Sequence, residues 1–341
     1  MAKRLPLSAA SKTYEAMIKK YEWLNGALSN CKTSGSLDCI LNAAKTLDPD
    51  LDLIISLQDP FMLQPEDMVW LARWRTCKQV YRIDDAVADE LKMQDLSGKL
   101  PVDAIAHLPY PIIYIDTAIQ YASGPALIDA KGILAWIDAA IDDPHKRTLY
   151  IGYLGSTTNR GRAIVPIELK PGATLEEVVQ DLVESDKEMS YRESNETLHI
   201  ETPSYENSYR CTVNALNLLL YVISEEEDRE IVYQPPKASK GQKIGKRTNL
   251  ETITKLGSRM GHAIGEARKV YLNENTFSEG TSHSKAPHVR RGHWHSFWTG
   301  KRKDRNDDRP GDKLVVHWIP PTYINADGTE ITVETIHGMK N

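Results

Sequence analysis

The chain has 341 residues, of which 41% are hydrophobic and 26% are charged, a composition typical of globular proteins. This composition excludes disordered, collagen-like and disulfide-scaffold chains. The four cysteines are scattered without a CxxC pair, so we interpret them as reduced thiols. The longest apolar run, near Val213–Ile223, is too short to span a bilayer, and no secretory signal is evident near the start. We therefore expect a cytoplasmic protein without a membrane partner.

The net charge of -5 conceals an uneven distribution of charge along the chain. Pro236–Trp318 holds 18 lysines and arginines against 8 aspartates and glutamates, which gives this window a charge of +10. The other residues carry 24 basic and 39 acidic side chains, a charge of -15. Such an asymmetry indicates that the basic window meets a polyanion. The alternative is that the two charges neutralise each other within one fold.

The N-terminal part of the chain has helical periodicity. Apolar residues recur at three- and four-residue spacing from Tyr14 to Leu28, so they share one face of a helix that Ser8 or Ser11 can cap. Proline suits the first turn of a helix, because its missing N–H has no intrahelical partner there. The other helical segments predicted here are Leu37–Leu47, a helix that begins at Pro65 and runs through Trp74, and Asp84–Met93.

After Pro101 the pattern changes to that of strands. Compact β-prone runs are bounded by turns rich in glycine, proline or aspartate, and their glycines are typical of a twisted antiparallel sheet. Two helices follow, and the second is apolar enough to be a buried core helix. The predicted strands are Pro111–Thr117, Gly132–Asp138, Arg147–Leu154 and Arg162–Leu169, and the predicted helices are Thr174–Met189 and Glu206–Ser224.

The C-terminal part starts with Pro235–Lys246, which lacks apolar periodicity and predicts a flexible connection or a loop that contacts phosphate. Thr252–Val270 is ambiguous, because its apolar spacing suits a helix while Gly257, Gly261 and Gly265 argue against a stable one. The last two predicted strands, His293–Thr299 and Lys313–Ile319, are joined by the charged loop Gly300–Asp312.

These elements together predict an α+β fold. It has a helical N-terminal region followed by a mixed, largely antiparallel sheet with packed helices. The expected divisions are a helical region at 1–105, an α+β region with the strand meander and the buried helix at 106–234, and a basic, β-rich region at 235–341.

The chemically richest segment is His283–Trp298, which reads HSKAPHVRRGHWHSFW and is called the His/Arg/Trp block below. Five of the ten histidines lie between His283 and His317. If the block continues as a strand, His293 and His295 share one face and Trp294 lies on the other. Upstream of this strand, we expect the chain to turn at residues 288–291.

Three interpretations of the block stay open. In the first, it binds RNA or another phosphate-bearing ligand, because arginines can fork onto phosphate oxygens and tryptophans can stack on bases. In the second, three histidines hold a metal ion, but no cysteine or carboxylate accompanies them at ligand spacing, so no metal is expected. In the third, the tryptophans fill a core. The candidate RNA or phosphate-binding residues are Arg290, Arg291, Trp294, Trp298, His288, His293 and His295.

A metal-independent endoribonuclease is a sharper form of the first interpretation. Histidine can transfer protons near neutral pH, and arginine can stabilise a phosphorane. Nothing in the sequence orders these residues around a scissile bond, so no catalytic residue is assigned. P-loop, Rossmann, zincin and GxSxG motifs do not occur in the sequence, and no cofactor is expected.

Three blocks of the sequence are similar to a known family. They are WRTCKQVYRIDDAVADEL with GKLPVDAIAHLPY at Trp74–Tyr110, the apolar helix and the later segment Gly257–Arg268, and PHVRRGHWHSFWTGKR with KLVVHWIPPTYIN at Pro287–Asn325. On these blocks, the chain resembles the family of the type V-A anti-CRISPR protein that suppresses biosynthesis of the type V-A effector nuclease. Phages and plasmids of proteobacteria carry similar proteins.

The resemblance implies an inhibitor that recognises the N-terminal peptide of the effector nuclease as it emerges from the ribosome. Loss of the message under translation would follow, which makes the ribosome or the mRNA a further expected partner. Carboxylates repel phosphate but attract a basic peptide. We therefore expect peptide recognition within Met1–Glu230, and action of the His/Arg/Trp block on the message or the translation machinery.

Overall fold

The computed structural model confirms an α+β fold with helices at the N-terminus. The residues that it describes are 6–30, 42, 65–96, 100–123, 126–139, 146–155, 163–194, 205–224, 228–235, 250–275, 288–299, 313–325 and 330–333. Contacts divide the chain into two units, each assembled from three segments. Unit 1 comprises Met1–Tyr81, Leu108–Glu168 and Ile231–Thr254, and unit 2 comprises Arg82–His107, Leu169–Glu230 and Lys255–Asn341. The three regions expected from the sequence stay a prediction.

Seven α-helices lie within the described residues. They are α1 (Ala9–Lys20), α2 (Glu22–Asn30), α3 (Pro65–Thr76), α4 (Asp85–Lys92), α5 (Leu175–Ser194), α6 (Tyr205–Ile223) and α7 (Ser258–Asn275), and a short 3-10 helix spans Val102–Ile105. In the described part of the chain, no helix combines the length and the apolar character needed to cross a membrane.

The strands form one large sheet and three small ones. They are β1 (Gln79–Ile83), β2 (Ile113–Ile115), β3 (Ile119–Ser123), β4 (Ala126–Ala130), β5 (Gly132–Ala139), β6 (Arg147–Leu154), β7 (Ala163–Glu168), β8 (Arg229–Tyr233), β9 (Thr252–Leu256), β10 (His288–Arg290), β11 (His293–Thr299), β12 (Lys313–Ile319), β13 (Thr322–Ile324) and β14 (Glu330–Thr332). The seven-stranded sheet has the order β7-β6-β5-β2-β1-β9-β8. Its β1–β2 pair is parallel, whereas β2–β5, β5–β6 and β6–β7 are antiparallel. The predicted mixed, largely antiparallel sheet is thus confirmed.

The predicted N-terminal helix is two helices. The helix is interrupted at Tyr21, whose backbone is extended with a φ of -115° and a ψ of 90°. The second helix, α2, begins at the next residue. Both helices bury side chains in the same core, which explains why the apolar spacing continues through the break. Ser8 caps α1 as predicted, because its hydroxyl accepts a hydrogen bond from the Ser11 N–H at 3.2 Å. Of the predicted helix over Leu37–Leu47, Asn42 is described and helical, and the other residues fall outside the described part of the chain.

Unit 1 has an aromatic core. Trp74 of α3 lies edge-on to Tyr114 of β2 with ring centroids 6.2 Å apart. Trp136 of β5 stacks on Tyr150 of β6 at 5.2 Å. All four rings are buried, and the Trp74 indole N–H donates to the Ser11 hydroxyl at 3.2 Å. Rings of this size supply much of the apolar area that stabilises a core, so they hold α1 and α3 on the strands.

A buried carboxylate fixes the start of α1. Glu251 is fully buried and accepts hydrogen bonds from the backbone N–H of Ser8 at 3.2 Å and from the Ser8 hydroxyl. Burial lowers the pKa of the Lys78 ammonium, and the nearby Glu251 carboxylate opposes that shift. The same ammonium lies 5.3 Å from the ring centroid of Tyr14. A buried carboxylate is tolerated only with such partners. Because Glu251 directly precedes β9, its hydrogen bonds to Ser8 tie the start of α1 to the start of β9.

The two cysteines within the described residues, Cys77 and Cys211, are free thiols. Cys77 is half-buried, and burial raises the pKa of its thiol. A thiol with a raised pKa holds less of the reactive thiolate at neutral pH. Cys77 is therefore suited to packing, consistent with its place beside the aromatic core.

The ambiguous segment Thr252–Val270 is a strand followed by a helix. The junction is Gly257, which has a φ of +74°. Glycine adopts this φ readily, whereas other residues are strained there. The first turn of α7 is then capped from a distance. One Asp228 carboxylate oxygen accepts from the backbone N–H groups of Arg259 at 2.7 Å and Met260 at 3.0 Å. This cap lies far away in the sequence, so helical spacing alone left the boundary undefined.

The glycines within α7 differ in their surroundings. A Cβ on Gly261 would overlap the carboxylate of Asp84, the N-cap of α4, which accepts from the Ala86 N–H at 3.1 Å. A Cβ on Gly265 would meet nothing within 4 Å. Gly261 therefore permits the close approach of α7 and the start of α4, whereas Gly265 has no packing role in this structure.

We expect opposite effects of alanine at these two glycines. Gly261→Ala should lower the free energy of unfolding by about 1–3 kcal/mol, because the added methyl overpacks the contact with Asp84. Gly265→Ala should raise it by about 0.5–1 kcal/mol, since alanine favours the helix. Urea unfolding of both variants measures these changes, and equal effects would contradict the packing described here.

Candidate nucleic-acid interface

The His/Arg/Trp block lies on two small antiparallel sheets of unit 2. β10 pairs with β13, which pairs with β14, and β11 pairs with β12 over its whole length. The turn expected at residues 288–291 is wrong, because His288–Arg290 forms β10 and only two residues separate it from β11. The partner strand β13 comes from a later part of the chain, so local sequence did not reveal the pairing.

Five of the seven candidate residues have exposed side chains. They are His288, Arg290, Arg291, His293 and His295. The predicted alternation along β11 is confirmed, because His293 and His295 are exposed while Trp294 between them is buried. His317 lies opposite His295 and is half-buried. These five exposed residues, called the basic surface below, present guanidinium and imidazole groups on one short stretch of chain.

Trp294 points into unit 2 and is 4% exposed. Its indole N–H donates to the side-chain oxygen of Asn217 at 2.9 Å, and Asn217 donates to the Gln94 carbonyl at 2.9 Å. A buried ring has no face open to a base, so the stacking role expected for Trp294 does not fit this position. The ring anchors β11, as in the third interpretation. The side chain of Trp298 lies outside the described residues.

Trp318 completes this anchor. It lies directly opposite Trp294 in the β11–β12 register, is 4% exposed, and meets Tyr221 edge-on at a centroid distance of 5.7 Å. Gly292 lets the chain pass close by, because a Cβ there would lie 2.7 Å from the amide nitrogen of Gln94 and 3.1 Å from the Trp318 indole nitrogen. In the sequence, Trp294 and Trp318 lie equally many residues from the centre of the predicted loop Gly300–Asp312. This symmetry would have been the signal that they pair.

Arg290 carries an acidic neighbour that the sequence did not indicate. Its guanidinium lies 3.1 Å from the Glu330 carboxylate, with side chains 64% and 47% exposed. An ion pair this exposed adds little to stability. The Glu330 carboxylate does, however, offset the charge of Arg290, so a phosphate must compete with it. Arg291, next along the chain, is exposed as well.

Arg268, which lies in the family-like segment Gly257–Arg268, forms contacts between elements of the fold. Arg268 of α7 donates to the Glu90 carboxylate of α4 at 2.7 Å. The nearby Tyr323 hydroxyl of β13 and the Glu90 carboxylate raise the pKa of Arg268, and burial raises the pKa of Tyr323. The Tyr323 ring packs 5.4 Å from Tyr271. Arg268 therefore ties α7 to α4, and the Tyr271–Tyr323 contact packs α7 against β13 of the β10 sheet.

Within the described ranges, no group of three histidine, cysteine, aspartate or glutamate side chains is placed to hold a metal ion. The metal interpretation required His288, His293 and His295. Two of these share the exposed side of β11, and the third lies on β10 in a different sheet. The expected lack of a metal stays a prediction.

Comparison with known proteins places the chain in a family. The profile of the AcrVA2-like family, described as the Anti-CRISPR type V subtype A2 family, matches residues 81–326. The chain belongs to this family. The AcrVA2-like match runs from β1 through β13 and includes every residue of the basic surface. The resemblance inferred from the three sequence blocks is thereby confirmed.

A solved structure shares the fold of this AcrVA2-like chain. The crystal structure of AcrVA2 superposes with a TM-score of 0.61 and 17% sequence identity, covering 94% of this chain and 100% of that chain. At this identity, the likeness establishes the fold alone. No match was found among curated proteins.

We expect Asn217 to be energetically coupled to Trp294. Asn217→Ala leaves the buried indole N–H without its acceptor, which should cost about 1–3 kcal/mol of unfolding free energy. Trp294→Phe removes the donor, so the double variant should be destabilised by less than the sum of the two single effects. A double-mutant cycle by urea unfolding measures this coupling, and strictly additive effects would show that the hydrogen bond contributes nothing.

The basic surface predicts salt-dependent RNA binding. Arg290→Ala combined with Arg291→Ala should weaken binding and flatten the slope of log affinity against log salt by about 0.7 for each single-strand phosphate that is no longer neutralised. Glu330→Gln should strengthen binding, because it removes the carboxylate that competes for Arg290. Fluorescence anisotropy with a labelled single-stranded RNA over a salt series measures both effects.

The matched control for charge is Lys146→Ala combined with Arg147→Ala. These are likewise adjacent, exposed basic residues, but they lie in unit 1. The control should leave the salt slope unchanged. Equal weakening by the two double variants would mean that overall charge, and not the basic surface, governs binding.

Proposed function

We propose that this AcrVA2-like protein is an anti-CRISPR inhibitor from a mobile genetic element, a phage or a plasmid, and that it acts in the cytoplasm on synthesis of the type V-A effector nuclease. It recognises the N-terminal peptide of the effector as the peptide leaves the ribosome. It then triggers loss of the mRNA under translation. The observation that carries the proposal is the family match over residues 81–326.

The charge distribution supports a division of labour between two surfaces. Phosphate-bearing partners, the message or ribosomal RNA, are attracted by the basic surface, whose two arginines are both exposed. A peptide instead requires apolar contacts and groups that match its own charge. The acidic remainder of the chain, within Met1–Glu230, provides such groups for a basic peptide.

The order of events follows from this division. A nascent peptide and its message are held together by the ribosome for as long as translation continues. Binding of the peptide therefore raises the effective concentration of the basic surface near the message, as for any two linked binding events. Contact with phosphate is independent of nucleotide sequence. The message that is lost is therefore chosen by the peptide that it encodes.

We expect message loss to depend on the encoded peptide and not on the nucleotide sequence. In cells making the protein, effector mRNA should fall for the native open reading frame and for a copy whose opening codons are recoded synonymously. It should not fall for a copy whose opening codons are read in a shifted frame, because that copy keeps nearly the same nucleotides and encodes another peptide. Quantitative reverse-transcription PCR measures the three messages.

Equal loss of the native and frame-shifted messages would contradict peptide recognition. The endoribonuclease alternative then takes its place, and purified protein with a naked transcript tests it directly. Cleavage without ribosomes, reduced in the His293→Ala and His295→Ala variants, would establish the enzyme. An intact transcript in that assay together with peptide-dependent loss in cells agrees with the proposed function.

A further inference from the structure

Two tyrosines form an aromatic surface at the start of α6. Tyr205 and Tyr209 lie one helical turn apart, and their rings stack with a centroid distance of 6.4 Å and an interplanar angle of 6°. Tyr205 is 44% exposed, which is unusual for a large ring among the described residues. Tyr209 is half-buried beneath it. The outer face of the pair is therefore open to a flat ligand group.

Carboxylates from two other elements converge on this pair. Burial raises the pKa of Tyr209 most, and the carboxylates of Glu176, in the first turn of α5, and Asp95, just after α4, raise it further. Glu206 adds an exposed carboxylate next to Tyr205. The local field at the rings is negative, so we call these residues the tyrosine–carboxylate patch.

Hydrogen bonds fix the backbone that carries Glu176. The first turn of α5 is closed by a reciprocal cap in which the Thr174 N–H donates to the Glu177 carboxylate at 2.8 Å and the Glu177 N–H donates to the Thr174 hydroxyl at 3.2 Å. The backbone N–H of Leu175, the residue after Thr174, donates to the Leu100 carbonyl at 2.8 Å. Groups held this way lose little entropy when a ligand binds.

One side-chain chemistry matches an aromatic face with carboxylates beside it. An arginine guanidinium is flat, stacks on rings through cation–π attraction, and forks its N–H groups onto carboxylates. We propose that the tyrosine–carboxylate patch binds an arginine side chain of the peptide that this protein recognises. The identity of that peptide rests on the proposed function, whereas the preference for arginine rests on the patch itself.

RNA does not fit the patch. A base could stack on Tyr205, but the phosphates beside it would face the carboxylates of Asp95, Glu176 and Glu206. Arg210, one turn beyond Glu206, is the nearest exposed cation along α6. The three carboxylates of the patch outnumber this one cation of α6. The patch and the basic surface thus select opposite charges.

The experiment uses two fluorescein-labelled peptides in which glycine alternates with either arginine or citrulline. Citrulline keeps the shape of arginine without its charge. The full-length protein should bind the arginine peptide and bind the citrulline peptide far more weakly. Tyr205→Ala should weaken arginine-peptide binding about tenfold, because the ring that attracts the guanidinium is removed. Glu176→Gln should weaken it as well, because the guanidinium then has one carboxylate partner fewer.

Two variants separate the ring contact from a general effect on charge or folding. Tyr205→Phe keeps the ring, so it should bind the arginine peptide like the unchanged protein. Tyr110→Ala removes a tyrosine of similar exposure, 40%, in unit 1, and should also leave binding unchanged. Equal binding of the two peptides by the unchanged protein, or full binding by Tyr205→Ala, would overturn the inference.

A third probe, a labelled synthetic peptide with the N-terminal sequence of the effector nuclease, distinguishes failure of the inference from failure of the proposed function. Equal binding of this probe by the unchanged protein and Tyr205→Ala overturns the patch as the peptide site and leaves the proposed function standing. No binding of this probe, with Tyr205-dependent binding of the arginine peptide, supports the arginine preference and overturns the proposed partner. Weaker binding of both peptides by Tyr205→Ala supports both.

Discussion

Asn217 is the polar contact on which the basic surface depends. It is fully buried on α6, donates to the Gln94 carbonyl after α4, and accepts from the Trp294 indole of β11. A buried amide without these partners would carry a large desolvation cost, so the three elements are held in one arrangement. Because successive side chains of a strand point to opposite faces, the side chains on either side of Trp294 then point outward. The exposure of His293 and His295 is thus a consequence of what lies underneath them.

The two surfaces of unit 2 carry charged side chains of opposite sign. The basic surface gathers cationic side chains around β10 and β11, with Glu330 offsetting one of them. The tyrosine–carboxylate patch places carboxylates from three elements beside the exposed Tyr205 and the half-buried Tyr209 of α6. Attraction between exposed charges is screened over about 8–10 Å at physiological salt, so each charged group acts mainly on the ligand atoms near it.

The helices and the main strands could be predicted from the sequence because their signals are local. Periodicity, the Pro65 start and the glycine-bounded runs of β5 and β6 all lie within one element. The short strands β1 and β8 escaped prediction, since pairing with other strands of the large sheet, and not propensity, makes them strands. The strands β3 and β4, which pair with each other as neighbours in the chain, were missed as well. The strand-to-helix junction at Gly257 escaped for a similar reason, as its cap Asp228 comes from another segment.

The sequence by itself determined the α+β class, the uneven charge, the family resemblance and the alternation of histidine and tryptophan along β11, because each depends on residue identity and near neighbours. Tertiary structure alone decided which candidate residues are surface groups. It buried Trp294 against Asn217, set Glu330 beside Arg290, and brought Asp95 and Glu176 to Tyr209. These partners come from separate elements, and only packing, which depends on the whole chain, determines which side chains meet.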